Sequence, residues 1–244
     1  MVLRMLMRSL FLQSAWNYER MQNLGFVYAI APVLKELYTD KEERRRALMR
    51  HLELFNTHPI LAAPIIGASA HLERGIRDGR VRPEAVHSLK LGLMGSYGAI
   101  GDSFFWASFR PLSALLGVTL FLEGLTLAPI IFLIFYNLVH LWFRGLGLMR
   151  GYEEGPEVVE VIRGWDFPKL TRRVRIVIIF IAAFSLSLVL REVVQRGAPI
   201  PLLWGGGLLA SVLIFHWLLK KGLSPGTIIA GASVILFIAG FLMR

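Results

Sequence analysis

Long stretches of this chain carry no charge at all. Residues 197–219 and 223–243 contain no Lys, Arg, Asp or Glu, and neither do residues 176–190. The stretch 111–143 holds a single charge, Glu123, between Arg110 and Arg144. A helix of about 20 apolar residues crosses a bilayer, and a soluble fold has no use for several such runs in series. Composition agrees: 55% of residues are hydrophobic, mean hydropathy is +0.56 and only 18% are charged, where a soluble domain carries roughly a quarter. The pattern predicts an all-α polytopic integral membrane protein.

The formal net charge of +10 raises nucleic acid as a partner, but the placement of the basic residues argues against it. Arg44, Arg45, Arg46 and Arg50, then Arg172, Arg173 and Arg175, then Lys220 and Lys221 fall between apolar stretches. That is the distribution of cytoplasmic loops under the positive-inside rule, and no separate soluble basic domain exists. The rule places Lys220, Lys221 and the loop 144–175 in the cytoplasm, with the turn 191–196 and the chain end outside. Cysteine is absent, which removes disulfides and thiolate metal sites. The six histidines never pair at ligand spacing. No P-loop, G-x-S-x-G or dinucleotide fingerprint occurs, so no cofactor is expected. Arg4 and Arg8 interrupt the first apolar residues, with no long apolar core or small-residue cleavage site, which argues against a signal peptide.

Two halves differ in texture. Residues 1–110 are amphipathic, with short apolar runs interrupted by polar or glycine-rich patches. Such runs are too brief to cross and predict re-entrant or broken helices, tolerated at membrane depth only where buried in protein or lining a wet cavity. Residues 111–244 predict a scaffold of regular transmembrane helices. Gly124 and Pro129 break the 111–143 stretch into either one kinked span or a hairpin. Gly205, Gly206 and Gly207 permit close helix approach.

Three polar patches stand out in the first half. The first, S-A-W-N-Y-E-R-M-Q-N-L-G at 14–25, sets Trp16, Asn17, Glu19 and Asn23 beside an apolar stretch. As a helix it places Glu19 and Arg20 pointing apart, each needing a partner elsewhere. It reads equally as an interfacial helix with a wet face or as intramembrane polar chemistry. The second, F-N-T-H-P at 55–59, predicts a helix starting at Pro59, capped by Thr57 or His58, with Asn56 just outside. A helix N-terminus can receive polar ligand groups, although capping alone explains these residues. The third, G-L-M-G-S-Y-G-A-I-G-D-S-F-F-W at 92–106, repeats glycine at 92, 95, 98 and 101 and ends on Asp102 and Trp106. Bare backbone on one flank allows close packing. A carboxylate beside an aromatic ring suits a sugar, while a packing seam with Asp102 as a cap is the plainer alternative.

Together these strings resemble the IID subunit of mannose/fructose/sorbose-family phosphotransferase-system permeases. The matching stretches are S-A-W-N-Y-E-R-M-Q-N-L-G-F, R-H-L-E-L-F-N-T-H-P and G-A-I-G-D-S-F-F-W-A-S-F-R-P, in the family's order and spacing, with weaker likeness onward to K-K-G-L-S-P at 220–225. The resemblance implies a sugar permease subunit in the bacterial cytoplasmic (inner) membrane, paired with a IIC chain in a higher oligomer of IIC–IID pairs. Soluble IIA and IIB proteins would relay phosphate to the hexose, with no phosphorylated residue on this chain, and the arginines of its cytoplasmic loops would face IIB. The expected sugar contacts are Trp16, Asn17, Glu19, Asn23, Asn56, His58, Asp102 and Trp106. Three departures mark this sequence: K-L-T-R-R-V-R-I-V-I where the family has an E-G-A-S-type stretch, a short external segment at 191–201, and Ser103 in place of proline. The short segment motivates a second reading, a non-transporting sensor or assembly scaffold derived from such a permease. A membrane enzyme acting on lipid is a third, resting only on the intramembrane polar groups.

Overall fold

The computed structural model describes residues 1–195 and, after them, residues 210, 213–215, 217–218, 220–222 and 231. The expectations for Gly205, Gly206 and Gly207, and for Pro201 at the end of the short external segment, lie outside the described residues, as does almost all of 223–243. Among the described residues the fold is helical with no strand, its extended pairing limited to isolated bridges of Met21 with Asn17 and with Phe55. Two compact units divide the chain, Met1–Ser185 and Leu186–Arg244. In the second, a helical end closes on Lys220 to Gly222: the Lys221 N–H donates to the Trp217 and Leu218 carbonyls, and Gly222 turns the chain at φ 87°.

The first unit builds outward from short, strongly patterned helices. In α1 (Val2–Ser9), Met5 and Ser9 are buried while Leu3 and Met7 face out. In α2 (Asn23–Leu37), Phe26, Ala29, Ile30, Val33 and Leu34 are buried, the spacing of one helical face. Pro32 inside α2 has no N–H, so the Tyr28 carbonyl one turn earlier loses its helical donor. Arg8 of α1 takes that place, its Nη1 donating to Tyr28 O at 3.3 Å. Helix α3 (Lys41–His51) starts on Asp40, whose carboxylate accepts from the Glu42 and Glu43 N–H groups at 2.9 Å each. That satisfies donors the helix start leaves open.

Helix α4 (Ala62–Arg77) is the buried centre and packs most closely on α7 (Ala128–Glu154). Backbone meets backbone there: a Cβ on Gly67 would lie 2.2 Å from Leu148 O, and one on Gly151 would lie 2.2 Å from Pro64 O. Helix α5 (Glu84–Gly101), a π-helical segment (Asp102–Phe109) and α6 (Arg110–Leu122) form one continuous run. At Gly124, φ 90°, the chain breaks before Pro129 in the first turn of α7. The 111–143 stretch is thus a hairpin, with Gly117 of α6 against Phe132 of α7. The segment 144–175, expected as a loop, is mostly helix: α7 runs through it to Glu154, followed by α8 (Val158–Gly164) and α9 (Phe167–Gln195). Its small residues Gly147 and Gly151 are what allow α7 to continue against α4. The runs Glu84–Leu122 and Ala128–Glu192 are long and apolar enough to cross a membrane. Val118, Phe121, Leu133, Leu138, Trp142 and Phe180 on them are exposed, a surface that suits lipid.

One buried charge cluster locks α2, α3 and α4 together. Glu73 is fully buried and accepts from Arg50 Nε at 2.7 Å and Nη2 at 3.2 Å, from His51 Nε2 at 2.9 Å and from Tyr38 Oη at 2.7 Å. Burial alone pushes the Glu73 carboxyl up, but the His51, Arg50 and Tyr38 hydrogen bonds outweigh it and hold it below the usual carboxylate range. Burial keeps the His51 imidazole neutral, with its proton on Nε2 toward Glu73. Beside it, Phe26 stacks on His51 and packs on Phe55, and Lys90 Nζ sits 4.9 Å from the Phe26 centroid, a cation–π arrangement.

The folded pKa of Glu73 lies below its unfolded value of about 4.3. Its contribution to stability is therefore complete above about pH 4.3 and is lost as pH falls through the lower folded value. Glu73→Gln strands a largely buried guanidinium and is expected to cost about 3 kcal/mol at neutral pH. Thermal unfolding in detergent between pH 3 and 7 checks this: the wild-type melting temperature falls at the acid end, and the variant starts lower and changes less.

Candidate functional site

The first patch is a reverse turn, not a helix. Asn17 N–H donates to Met21 O at 3.1 Å and Met21 N–H returns to Asn17 O at 2.9 Å, with Met21 at φ 57°. The Asn17 amide holds this turn: Oδ1 accepts from Arg20 N at 2.8 Å and Nδ2 donates to Asn23 Oδ1 at 3.0 Å. Asparagine side chains compete with helical hydrogen bonding in this manner, which is why α2 begins only at Asn23. In the turn the neighbouring side chains Glu19 and Arg20 do meet, Arg20 Nε donating to Glu19 Oε1 at 3.1 Å. The helical expectation that they point apart is corrected accordingly.

A buried amide couples the first patch to the second. Gln22 Nε2 donates to Thr57 O at 2.8 Å and Gln22 Oε1 accepts from Thr57 N at 3.1 Å. Gln22 N–H also donates to Phe55 O at 2.8 Å, and Asn23 Nδ2 to Leu52 O at 2.8 Å. His58 does act as a cap, its Nδ1 accepting from Ile60 N at 3.3 Å. It caps a turn at 59–61, however, and α4 begins at Ala62, so Pro59 opens that turn rather than the helix. With Nδ1 an acceptor, the proton sits on Nε2, which is buried and has no hydrogen-bond partner among the described residues.

The third patch closes on His58. A Cβ on Gly101 would lie 2.3 Å from His58 Cβ and Cγ, and one on Gly98 3.8 Å from Thr57 Oγ1. Among the described residues Gly92 and Gly95 have no such neighbour within 4 Å, so the glycine series divides into a packed pair and an open pair. From Asp102 the helix widens into π geometry, a feature frequent at functional sites. There the His58 ring stacks on Phe105 at 5.2 Å and 15° and meets Trp106 edge-on at 4.9 Å. Ser108 Oγ donates to Ser103 O at 2.9 Å, and Arg175 Nε from α9 donates to Ser108 Oγ at 3.2 Å, holding the widened turn.

Around this junction Asn56, Asp102 and Trp106 are exposed. Asn56 and Asp102 make no side-chain hydrogen bond or ion pair among the described residues. Asn17 and Asn23 direct their amides inward, Trp16 pairs edge-on with Tyr18 at 4.8 Å, and Glu19 is exposed in its pair with Arg20. Grooves of ≈ 420 Å³ at Gly117 and Phe132 and of ≈ 380 Å³ at Ser103 and Phe167 are lined by other residues.

Residues 1–195 match the family described as PTS system mannose/fructose/sorbose family IID component. The chain belongs to this IID family. It is 33% identical to the fructose permease IID component of Bacillus subtilis (strain 168), covering 99% of this chain and 96% of that one. It is 36% identical to the PTS system mannose-specific EIID component of Escherichia coli (strain K12), covering 96% and 90%. Among solved structures, a chain of the mannose transporter ManYZ in complex with microcin E492 matches with TM-score 0.61 and 33% identity over 99% of this chain and 95% of that one. A second, described as a membrane protein, matches with TM-score 0.73 and 32% identity, covering 99% and 96%. IID components are membrane permease subunits of sugar phosphotransferase systems, and this chain is a membrane protein of that kind.

Two residues of this IID chain escaped sequence reasoning. Gln22 lies in a string of five polar residues, and nothing in its spacing marks it as the buried one. Arg144 was read as the flank of an apolar span, yet it is buried, its Nη1 donating to Ser9 O and to Ser9 Oγ at 3.3 Å. The glycines at 145, 147 and 151 were the available sign that the helix continues past it. The Gly101 contact gives a direct test. Gly101→Ala forces His58 to shift and is expected to lower the melting temperature of the detergent-solubilised protein, at a cost of about 1–3 kcal/mol. Gly95→Ala, with nothing within 4 Å, raises it by up to about 1 kcal/mol through helix propensity.

Proposed function

We propose that this chain is the IID half of a hexose permease, forming with a IIC chain the unit that carries sugar across the bacterial inner membrane. IIA and IIB proteins couple that movement to phosphorylation, and this chain itself carries no phosphoryl group. The observation that supports the reading most is the junction of the three motifs at His58. It leaves the Asn56 amide, the Asp102 carboxylate and the Trp106 ring exposed, with no side-chain hydrogen bond from them among the described residues. An ionised group in an apolar run faces a cavity or a partner, and a carboxylate, an amide and a ring face are the donor, acceptor and stacking set a pyranose takes. Because these groups lie on the surface, the sugar site is completed by the IIC chain. IIC–IID pairs assemble further, surrounded by lipid.

Within this reading the residues divide by role. Asn56, Asp102 and Trp106 touch sugar. His58, buried and edge-on to Trp106, positions that ring. Asn17 and Asn23 shape the turn that carries Trp16 and Glu19 to the sugar or to IIC. Residues 1–110 handle substrate through broken or re-entrant helices, and residues 111–244 supply the multi-pass scaffold, with 144–175 and Lys220 and Lys221 on the cytoplasmic side toward IIB.

Asn56→Ala and Asp102→Asn in the co-expressed IIC–IID pair are each expected to weaken hexose binding by about tenfold, a loss on the scale of one or two hydrogen bonds to the ligand. Equilibrium binding of labelled hexose to assembled protein measures this, and unchanged affinity removes that residue from the site. Vesicles bearing the wild-type pair should take up sugar when IIA, IIB and a phosphoryl donor are supplied. A complete absence of uptake would favour the scaffold reading instead.

A further inference from the structure

A groove of ≈ 400 Å³ opens between α1, the end of α2 and α3, lined by Arg4, Arg8, Ala31, Pro32, Leu34, Lys35, Arg44 and Leu48. Four of these are cations and none is an acid. Glu43, adjacent to Arg44 in sequence, lines a separate groove with Arg46 and Arg50. Arg4 and Lys35 make no hydrogen bond or ion pair among the described residues. Arg8 and Arg44 are fixed in place without being neutralised. Arg8 donates to the Tyr28 carbonyl that Pro32 leaves open and lies 4.7 Å from the Tyr28 ring centroid, and Arg44 Nη1 donates to Tyr38 O at 3.2 Å. Like charges gathered around one hollow repel one another, so the groove is stabilised by an anion.

The same helix tells which anion. Met5, Ser9 and Leu12 turn one face of the N-terminal segment into the core, while Leu3, Met7, Leu10 and Phe11 are exposed at 67%, 53%, 40% and 55%. At 100° per residue, Arg4 and Arg8 fall between those two faces, along the edge of the exposed apolar one. Phe11 meets Tyr28 edge-on at 6.2 Å, adding aromatic surface of the kind found at membrane interfaces. An apolar stripe edged by arginines lies in the interface with its side chains among acyl chains and its cations among headgroups. A soluble phosphate uses only the groove, and an acidic protein surface leaves the stripe uncovered. A phospholipid with a net negative headgroup uses both.

We propose that Arg4, Arg8, Lys35 and Arg44 bind the phosphate of an anionic phospholipid, whose acyl chains lie along Leu3, Met7 and Phe11. The site holds α1 in the membrane plane and seats it against Tyr28 of α2, next to the turn of the first motif.

The test uses the full chain purified in non-ionic detergent and depleted of lipid, titrated with phosphatidylglycerol, phosphatidylcholine or glycerol 3-phosphate, with binding read by native mass spectrometry and by thermal stability. Phosphatidylglycerol should bind and stabilise, and the other two should do so far less. Arg4→Gln with Lys35→Gln removes the two cations that have no partner among the described residues, so the fold is left intact. It should weaken phosphatidylglycerol binding about thirtyfold, at roughly fivefold per basic residue near the headgroups. Arg4→Lys, which keeps the charge, should bind within a few-fold of wild type. Equal binding of phosphatidylcholine, equal protection by glycerol 3-phosphate, or undiminished phosphatidylglycerol binding by the double variant would overturn the proposal. So would saturation of the groove by an acidic soluble partner in competition with the lipid.

Discussion

A buried amide, that of Gln22, joins the two loop motifs of this protein alongside the backbone bridge of Met21 with Phe55. It bonds both the N–H and the C=O of Thr57, two backbone groups that have no helix or sheet to join. Each such bond contributes only about 1 kcal/mol net, but leaving a buried backbone group unpaired costs about 1–3 kcal/mol. The asymmetry makes Gln22 hard to replace. With Thr57 fixed, His58 is pressed against the bare backbone of Gly101, and its ring then sets Phe105 and Trp106. The geometry of the third motif thus depends on an amide in the first, acting through Thr57, 35 residues along the chain from Gln22.

The second dependence runs through α4 and α7. Gly67 and Gly151 let these helices approach until backbone touches backbone, which fixes the line of α7. Arg144 is thereby carried into the interior, close enough for its charge to act on the His58 imidazole. No carboxylate among the described residues hydrogen-bonds it. It donates instead to Ser9 O and Oγ at the C-terminal end of α1, where the helix dipole presents partial negative charge. A guanidinium so placed ties α1 to α7 without requiring a second buried ion.

Periodicity and charge made much of this legible in the sequence. The helical class, the apolar runs and the break at Gly124 and Pro129 follow from hydropathy and backbone stereochemistry, which act locally. The His58 cap and the close approach at Gly101 were foreseeable in kind, because proline and glycine announce unusual backbone. Three features were not legible. The turn at 17–21 turns on asparagine amides outcompeting helical hydrogen bonds, a choice settled by the Leu52 and Phe55 carbonyls far along the chain. Helix continuing past Arg144 requires knowing that α4 offers Pro64 and Gly67 opposite Gly147 and Gly151. Which polar residues of the first patch are buried depends on Thr57 being there to receive Gln22. In each case the deciding partner is distant in sequence, and no window on one segment contains it.

The exposed carboxylate of Asp102 sets a condition on what surrounds the protein. It lies inside the continuous helical run Glu84–Leu122, whose length and composition suit a membrane, and no residue of the first unit neutralises it. Hydrocarbon is a costly environment for an ionised side chain, so water or a polar partner suits this carboxylate better than lipid does. The neighbouring surface agrees, since Gly92 and Gly95 on the same helix meet nothing within 4 Å among the described residues. Bare backbone facing lipid forgoes the packing that glycine makes possible, whereas facing another protein it permits close approach. The face carrying Gly92 and Gly95 is thus suited to close packing by another helix. Water, or a hydrogen-bond donor from a second chain, satisfies Asp102 at such a seam, and the sugar path proposed above between two subunits supplies either.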